Sequence, residues 1–236
     1  MTNNFNPEAS DIQAIFNRIA SKYDDLNDRL SFGQHAIWKM MAVKWSDPQP
    51  GAIALDLCCG SGDLTLMLAQ KVGLQGQVTG LDFACAQLQI AQTRQENKLP
   101  KHTISWLEGD ALNLPFSDNF FDCATMGYGL RNVTDISRCL QEVRRVLKPG
   151  AKIAILDFHR PQADLINMFQ QWYLQNIVVP TAQDFSMEEE YAYLIPSLAK
   201  FPNGSEQVNL AYRARFSEAV HYPLLGGMMG VLVLKK

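Results

Sequence analysis

Three short motifs place carboxylates and glycines where a small ligand could bind. Asp56 precedes the loop Gly60-Ser61-Gly62, Asp82 lies twenty residues past that loop, and Asp110 comes later, next to Ala111. Glycines let a ligand approach the backbone because no Cβ stands in the way. A carboxylate can accept hydrogen bonds from both hydroxyls of a ribose, although an exposed aspartate in a turn is the alternative for each one taken alone. Together the motifs predict a site for a ligand that carries a ribose.

Two common phosphate-binding motifs do not fit the residues around the glycine loop. The dinucleotide fingerprint G-x-G-x-x-G needs glycine at position 65, where the sequence has Thr65. A P-loop needs lysine followed by serine or threonine, and no such pair follows the loop. Pyrophosphate binding is therefore disfavoured.

Alternating strand and helix patterns must position these motifs. Short apolar runs predict strands at 52–57, 77–81, 103–107, 121–126 and 152–158. Helical spacing predicts helices near 63–72, 84–97 and 135–147. Such alternation is typical of the α/β class, with a mainly parallel sheet and helices on both faces. The three motifs follow the first three strands, so they should lie at one edge of the sheet.

The two ends of the chain depart from this alternation. Helical patterns begin after Ser10 and cover Gln34 to about Trp45, and a further helix is predicted over 162–179. The acidic, aromatic segment 187–197 fits neither helix nor strand cleanly. Residues 217–222 and 228–234 predict two final strands that pair antiparallel.

Composition excludes several classes of function. The net charge is -3, with 21 Lys and Arg against 24 Asp and Glu, so no basic surface for nucleic acid is evident. The longest charge-free stretches, 165–183 and 219–234, contain too many polar or glycine residues to span a membrane. Five cysteines without a C-x-x-C pair argue against a disulfide framework and a zinc site, and we expect them to be buried. We expect no metal, and a cytoplasmic setting because the N-terminus does not look like a secretion signal.

The motifs together resemble those of the class I methyltransferases that use S-adenosylmethionine. The resemblance rests on the three motifs above, on Phe121-Asp122 and on Val146-Leu-Lys-Pro-Gly150. It implies a Rossmann-like, mostly parallel sheet of seven strands with a reversed last strand, and S-adenosylmethionine as methyl donor. It assigns Asp82 to the ribose, Asp110 and Ala111 to the adenine, and 60–62 to the methionine part. The cofactor-binding residues it implies are Asp56, Gly60, Ser61, Gly62, Asp82, Phe83, Asp110, Ala111 and Gly127. Cys58 stands where a first glycine is common, which makes the turn bulkier.

A narrower resemblance points to the ubiquinone and menaquinone C-methyltransferase family. It is carried by Phe16-Asn-Arg-Ile-Ala-Ser-Lys-Tyr-Asp24, Leu112-Asn-Leu-Pro-Phe116 and Gly129-Leu-Arg-Asn-Val133, and the tail around His221-Tyr-Pro-Leu-Leu-Gly-Gly is closest to the phylloquinone branch. The resemblance implies C-methylation of a reduced prenylated naphthoquinone, demethylphylloquinol, to phylloquinol. The alternatives are demethylmenaquinol or a ubiquinone precursor as acceptor, and a non-catalytic subunit that binds S-adenosylmethionine.

The same family motifs suggest the catalytic residues Tyr23, Asp24, Arg131 and Asn132. Methyl transfer to carbon needs an electron-rich carbon and close alignment, and the quinol must lose a proton. Arg131 would stabilise the developing oxyanion, so Arg131→Ala should keep the fold and lose most methyl transfer. The alternative for Arg131 is an ion pair that holds the following helix. His159 is an alternative base, whereas His221 is expected to be structural.

The substrate would bring a long apolar tail. Aromatic residues of the region after 160, above all Trp172, Tyr191 and Tyr193, could wall a groove for this tail, with His159 near the ring; plain core packing is the alternative. Peripheral membrane contact would follow, and the oligomeric state is not predicted.

These expectations divide one domain, 1–236, into four parts. They are a helical N-terminal cap at 1–48, a cofactor-binding core at 50–160, a substrate-covering insertion at 161–204 and C-terminal strands at 205–236.

Overall fold

A single seven-stranded sheet organises the protein. The computed structural model describes residues 13–15, 17–18, 33–97, 102–161, 163–184 and 194–236. The strands are β1 (Ile53–Leu57), β2 (Gln77–Asp82), β3 (Thr103–Glu108), β4 (Phe121–Gly127), β5 (Leu147–Phe158), β6 (Glu218–Leu224) and β7 (Met229–Lys235). Their order in the sheet is β3-β2-β1-β4-β5-β7-β6. The first five strands run parallel, and β7 is antiparallel to both of its neighbours, so the predicted reversal of the last strand is confirmed.

Helices cover both faces of the sheet, as predicted. They are α1 (Gln34–Trp45), α2 (Asp63–Val72), α3 (Cys85–Glu96), α4 (Ile136–Val146), α5 (Asp164–Tyr173), α6 (Val179–Asp184), α7 (Leu194–Lys200) and α8 (Gly204–Arg213). Successive side chains of a strand point to opposite faces. Leu55 of β1 accordingly packs in one apolar cluster with Val143 of α4, while its neighbour Ala54 packs in another with Leu68 of α2.

The helix predicted over 162–179 extends further than expected. The chain passes from α5 through a π-helical segment, Leu174–Val178, directly into α6, which contains Pro180. Proline lacks an N–H and normally ends or kinks a helix. The wider π turn just before Pro180 accommodates this loss, so the prediction that the helix ends at 179 is wrong.

Two helices near the C-terminus were not predicted. The last residues of segment 187–197 belong to α7, and all but the first residue of α8 lies in the part expected to hold only strands. A capping box explains the start of α8, because the Asn203 side chain accepts the Glu206 N–H while the Glu206 side chain accepts the Asn203 N–H. Gln207 and Ala211 then bury one side of the helix.

The burial of the cysteines follows the prediction in part. Cys59, Cys123 and Cys139 are buried and Cys58 is half-buried, but Cys85 is exposed at the start of α3. The prediction for Cys85 is therefore wrong. In the part of the chain that the structure describes, no helix has the length and apolar character needed to cross a membrane.

Candidate active site

A cavity lies where β1, β2, β3 and β4 end. Parallel strands of an open sheet present such ends as a ligand-binding crevice. The wall includes Gly60, Ser61, Asp82, Phe83, Asp110, Ala111, Gly127 and Asn132, which are eight of the residues predicted from the sequence. It also includes Lys39 of α1, which was not predicted. The three motifs therefore meet at one site.

The glycine loop joins β1 to α2 in a left-handed conformation. Gly60 and Gly62 have φ values of 53° and 87°. A Cβ on Gly62 would lie 2.6 Å from the Trp106 ring, so both conformation and space require glycine there. Cys58, which lines the cavity, also has a positive φ of 54°. The residue that replaces the usual glycine thus keeps the glycine-like backbone of the turn.

Asp56 lies below this loop rather than in the cavity wall. Its carboxylate is fully buried and accepts hydrogen bonds from Thr65 Oγ1 at 2.6 Å and from Thr125 Oγ1 at 2.8 Å. Burial raises the pKa of Asp56 to about 7 despite these bonds. Asp56 therefore ties β1 to α2 and β4 under the site.

Asp82 connects the glycine loop to the turn after β2. One carboxylate oxygen accepts the Gly60 N–H at 2.8 Å, and the other accepts the Ala84 N–H at 2.9 Å. Burial raises the pKa of Asp82, while these backbone donors act in the opposite direction. Each oxygen retains further lone-pair capacity, so the carboxylate can still accept hydrogen bonds from a ligand.

Asp110 and Ala111 follow β3 and form the next part of the wall. Asp110 Oδ1 accepts the Leu112 N–H at 2.9 Å in a tight turn, and no group of the described chain bonds to its Oδ2. Gly127 ends β4, where a Cβ would lie 2.7 Å from Leu64. This part of the wall thus offers a carboxylate oxygen that has no partner among the described residues, and a backbone that a ligand can approach closely.

Part of the predicted N-terminal cap reaches the same site. The Gln13 side-chain amide donates to the Phe83 carbonyl, and Asn17 Oδ1 accepts the Ala86 N–H at 3.0 Å. Both partners belong to the segment after β2. Tyr23 and Asp24, two predicted catalytic residues, lie outside the described residues, as do Tyr191 and Tyr193.

Arg131 and Asn132 lie in a 3₁₀ turn, Leu130–Asn132, just beyond β4. Arg131 forms an ion pair with Asp157 near the end of β5, with Nη1 2.6 Å from Oδ1. The side chains of both residues are almost completely buried, at 7% and 2% exposure. Burial raises the pKa of Asp157, and the charge of Arg131 opposes this effect. The ion pair therefore holds the turn against β5, not against the helix that follows.

Asn132 is the member of this turn that lines the cavity. Its Nδ2 donates to the Tyr128 carbonyl at 3.0 Å, which Arg131 Nη1 also binds at 2.8 Å. Asn132 Oδ1 is buried and has no hydrogen-bond partner within the described parts of the chain. Buried acceptors are nearly always satisfied, so this oxygen is suited to a ligand hydroxyl or ammonium group.

Trp172 lies on the outer side of α5, away from the cavity wall. Leu165, Met168, Phe169 and Trp172 are between 52% and 81% exposed. Their spacing of three and four residues forms one apolar stripe along the helix. Gln170, which is polar, is buried instead and donates to the His159 carbonyl at 2.8 Å.

His159 belongs to a buried chain of hydrogen bonds. Gln207 Nε2 donates to the Pro202 carbonyl at 2.7 Å and lies 3.3 Å from His159 Nδ1. Nδ1 is therefore the acceptor, and the proton of the ring is on Nε2, which faces His221 Nε2 at 3.1 Å. Burial and the neighbouring His221 lower the pKa of His159 to about 3. A neutral ring that is occupied on both nitrogens, and that does not belong to the described wall of the cavity, is poorly suited to act as a base.

These contacts predict a pH dependence of stability. An unfolded histidine has a pKa of 6.5, against about 3 in the fold, so the unfolded chain binds the extra proton between these values. Stability should therefore fall on acidification below pH 6.5, by up to about 1.4 kcal/mol per pH unit. The glutamine of His159→Gln keeps an acceptor and a donor but does not titrate. When urea unfolding is measured at pH 7, 6 and 5, the free energy of unfolding of this variant should therefore fall less steeply than that of the wild type. Equal slopes for both proteins would contradict a buried neutral His159.

Together, the sheet order, the reversed β7 and the cavity at the strand ends define the Rossmann-like fold of the class I methyltransferases. Two solved structures share the fold. A methyltransferase of this type from Thermotoga maritima is 20% identical, with a TM-score of 0.65 over 94% of this chain and 99% of the other. A second, from Methanococcus maripaludis, is 18% identical, with a TM-score of 0.64 over 100% and 97%.

The chain belongs to the ubiE/COQ5 methyltransferase family, whose model matches residues 4–235. A 2-phytyl-1,4-naphthoquinone methyltransferase from Nostoc punctiforme is 60% identical over 227 residues, which cover 96% of this chain and 99% of the relative. The corresponding chloroplastic enzyme of Arabidopsis thaliana is 51% identical over 221 residues, 93% of this chain and 85% of the relative. The protein is thus an enzyme, and S-adenosylmethionine is its methyl donor.

The residues of the cavity fit this donor. The carboxylates of Asp82 and Asp110 suit the ribose hydroxyls and the adenine amino group, and the left-handed glycine loop leaves room for the methionine part. Two charged residues that the structure places at or beside the cavity were not predicted from the sequence, Lys39 in its wall and Asp157 as the partner of Arg131. The pairing of Asp157 with Arg131 gives no local sequence signal. Lys39 could have been noticed, because it is a lysine on the buried side of a helix, beside Trp38.

Proposed function

We propose that the enzyme methylates a ring carbon of reduced 2-phytyl-1,4-naphthoquinone, forming phylloquinol. The similarity to 2-phytyl-1,4-naphthoquinone methyltransferases over nearly the whole chain is the observation that carries this proposal. The turn that holds Arg131 and Asn132 beside the cavity supports it, because the acceptor needs polar groups at its ring oxygens.

The reaction places two demands on the protein. When bound, S-adenosylmethionine supplies a methyl group on a sulfonium, which makes the methyl carbon electrophilic. The acceptor ring carbon becomes nucleophilic when the neighbouring hydroxyl loses its proton. The new C–C bond would form as the C–S bond breaks, with the electron pair of that bond left on sulfur. The ring carbon would then release its own proton to restore aromaticity, and the ring oxygen would take up one proton to give the quinol. The site must therefore orient the quinol and receive two protons.

Asn132 and Arg131 meet these demands in our proposal. The unpartnered Oδ1 of Asn132 accepts a hydrogen bond from a quinol hydroxyl and so fixes the ring. The Arg131 guanidinium, oriented by Asp157 and the Tyr128 carbonyl, stabilises the negative charge that develops on the ring oxygen. A water takes the hydroxyl proton. Tyr23 and Asp24 are proposed to complete this site from the N-terminal cap.

The acceptor can be identified by direct assay. The purified enzyme is incubated with methyl-labelled S-adenosylmethionine and three dithionite-reduced naphthoquinols that carry a phytyl tail, a polyprenyl tail or no tail. We expect the highest kcat/KM with the phytyl quinol and a much lower value without a tail. Preference for the polyprenyl quinol would favour demethylmenaquinol. A reduced ubiquinone precursor is assayed in parallel, and a higher kcat/KM with it than with any naphthoquinol would favour the ubiquinone pathway. Binding of S-adenosylmethionine without transfer to any of these quinols would contradict the proposed acceptor class.

We further propose that the apolar stripe of α5 contacts a bilayer surface. The stripe is Leu165, Met168, Phe169 and Trp172, and no charged residue occurs between 165 and 183. A phytyl quinol resides in the membrane, so an enzyme that collects it must approach the lipid surface. Burying one large apolar side chain is worth about 1.5 to 3 kcal/mol, which is enough for reversible attachment when several insert together.

Vesicle binding tests this stripe. The double substitution Phe169→Ser and Trp172→Ser should weaken binding to phosphatidylglycerol-containing vesicles by at least about 100-fold, because two large apolar contacts are lost. Leu74→Ser is the matched control, since Leu74 is 63% exposed but lies just after α2, outside the stripe. Equal co-sedimentation of all three proteins would refute the proposal.

A further inference from the structure

A group of three charged side chains, one of them buried and two partly buried, lies at the edge of the cavity. Lys39 of α1 is only 9% exposed and lines the cavity together with Asp63. Its Nζ is 2.5 Å from Asp63 Oδ2, while the other oxygen of Asp63 binds the Arg94 guanidinium. The proposed methyl transfer uses none of these three groups, so their presence needs a separate explanation.

The group carries an excess positive charge. Burial alone would raise the pKa of Asp63, but the charges of Lys39 and Arg94 lower it to about 2, so the carboxylate is ionised throughout the physiological range. Among the described residues, one anion thus faces two cations. Buried lysines are rare unless their charge is compensated. A further anion would therefore be favourable beside this group.

The two cations are engaged to different degrees. Arg94 is also bound to the Ser61 carbonyl at 3.1 Å and to Ser61 Oγ at 2.9 Å, so it is part of the support of the glycine loop. Asp63 is the sole hydrogen-bond acceptor of Lys39 within the described ranges of the chain. An ammonium group has three N–H donors, so Lys39 has donors left for a ligand.

The cavity wall carries both signs of charge. Asp82 and Asp110 contribute carboxylates, whereas Lys39 pairs with Asp63, the residue after the glycine loop, where α2 begins with its positive dipole end. S-adenosylmethionine has one anionic group, the α-carboxylate, at the end farthest from adenine. We propose that Lys39 binds this α-carboxylate and that Asp63 and Arg94 position it. The inference rests on the proposed orientation, with adenosine at Asp82 and methionine at the loop.

Calorimetric titration with three ligands tests this role without any quinol. The ligands are S-adenosylmethionine, decarboxylated S-adenosylmethionine, and 5′-methylthioadenosine, which lacks the amino-acid part. Lys39→Met removes the charge, and the fold should survive because Asp63 keeps Arg94 as a one-to-one partner. We expect the Kd of S-adenosylmethionine to rise by about 10- to 100-fold, the range for losing a charge-assisted hydrogen bond. The Kd values of the other two ligands should stay within about twofold of wild type, since neither has the carboxylate.

Two further variants make the result specific. Lys39→Arg keeps the charge and should recover most of the affinity, and Lys44→Met removes an exposed lysine from the same helix and should change nothing. A uniform loss for all three ligands in Lys39→Met, or no loss for any, would overturn the proposal. Because every readout is cofactor binding, a failure of the naphthoquinol assay would leave this result intact, and the reverse also holds.

Discussion

Replacing Arg131 by methionine is expected to remove most methyl transfer and to lower the free energy of unfolding by about 3 to 5 kcal/mol. The stability loss arises because Asp157, whose side chain is 2% exposed, would lose its cationic partner and retain only the backbone N–H donors of residues 131 and 158. The activity loss arises because the charge proposed to stabilise the developing oxyanion disappears, which is worth about 100- to 1,000-fold in kcat. The structure thus changes the sequence-based expectation for Arg131→Ala, since loss of this buried ion pair should also weaken the fold.

A neutral double variant separates stability from catalysis. Arg131→Met combined with Asp157→Asn removes both charges, so chemical unfolding should show most of the lost stability restored. If Arg131 acts on the quinol, the double variant should still bind S-adenosylmethionine normally and still show the low kcat. Recovery of turnover together with stability would mean that Arg131 only holds the turn against β5. Asp157→Asn alone keeps the guanidinium and should retain more activity than either Arg131 variant.

The meeting of the three motifs at one cavity could be predicted from the sequence because each motif is local. A glycine loop directly after a strand, and carboxylates directly after the next two strands, are each visible within a few residues. Parallel strands then bring the three ends to one edge without further information. Asp56 shows the limit of this reasoning. The same local pattern that brings Gly60 and Ser61 to the cavity places Asp56 below it, held by Thr65 and Thr125.

The remaining features depend on long-range contacts that one sequence does not reveal. Arg131 and Asp157 are separated by 26 residues, and their pairing follows from the adjacency of β4 and β5 in the sheet. The sequence suggested His159 as a base because it follows a strand. The helix α8, which was not predicted, instead brings the Gln207 side chain to Nδ1 of this histidine. The start of α8 could have been found, since Asn203 and Glu206 have the spacing of a capping box.

Asp82→Asn should be the most damaging single change for cofactor binding. Both oxygens of the carboxylate accept backbone N–H groups, from Gly60 and Ala84, and an asparagine can offer only one oxygen. One buried N–H donor would then face an NH₂ group, which should lower the free energy of unfolding by about 1 to 3 kcal/mol. The ribose would also lose charge-assisted hydrogen bonds, so the Kd of S-adenosylmethionine should rise by at least about 100-fold.

The ligand pattern distinguishes this loss from the one expected for Lys39. Asp82 is proposed to bind the adenosine part, so its replacement should weaken S-adenosylmethionine, the decarboxylated analogue and 5′-methylthioadenosine by similar factors. Asp118→Asn is a suitable control, because the Asp118 side chain is 69% exposed in a surface ion pair with Arg145 and lies outside the cavity wall. If Asp82→Asn left the Kd of 5′-methylthioadenosine unchanged, adenosine could not lie against this carboxylate. The orientation on which the role of Lys39 depends would then have to be reversed.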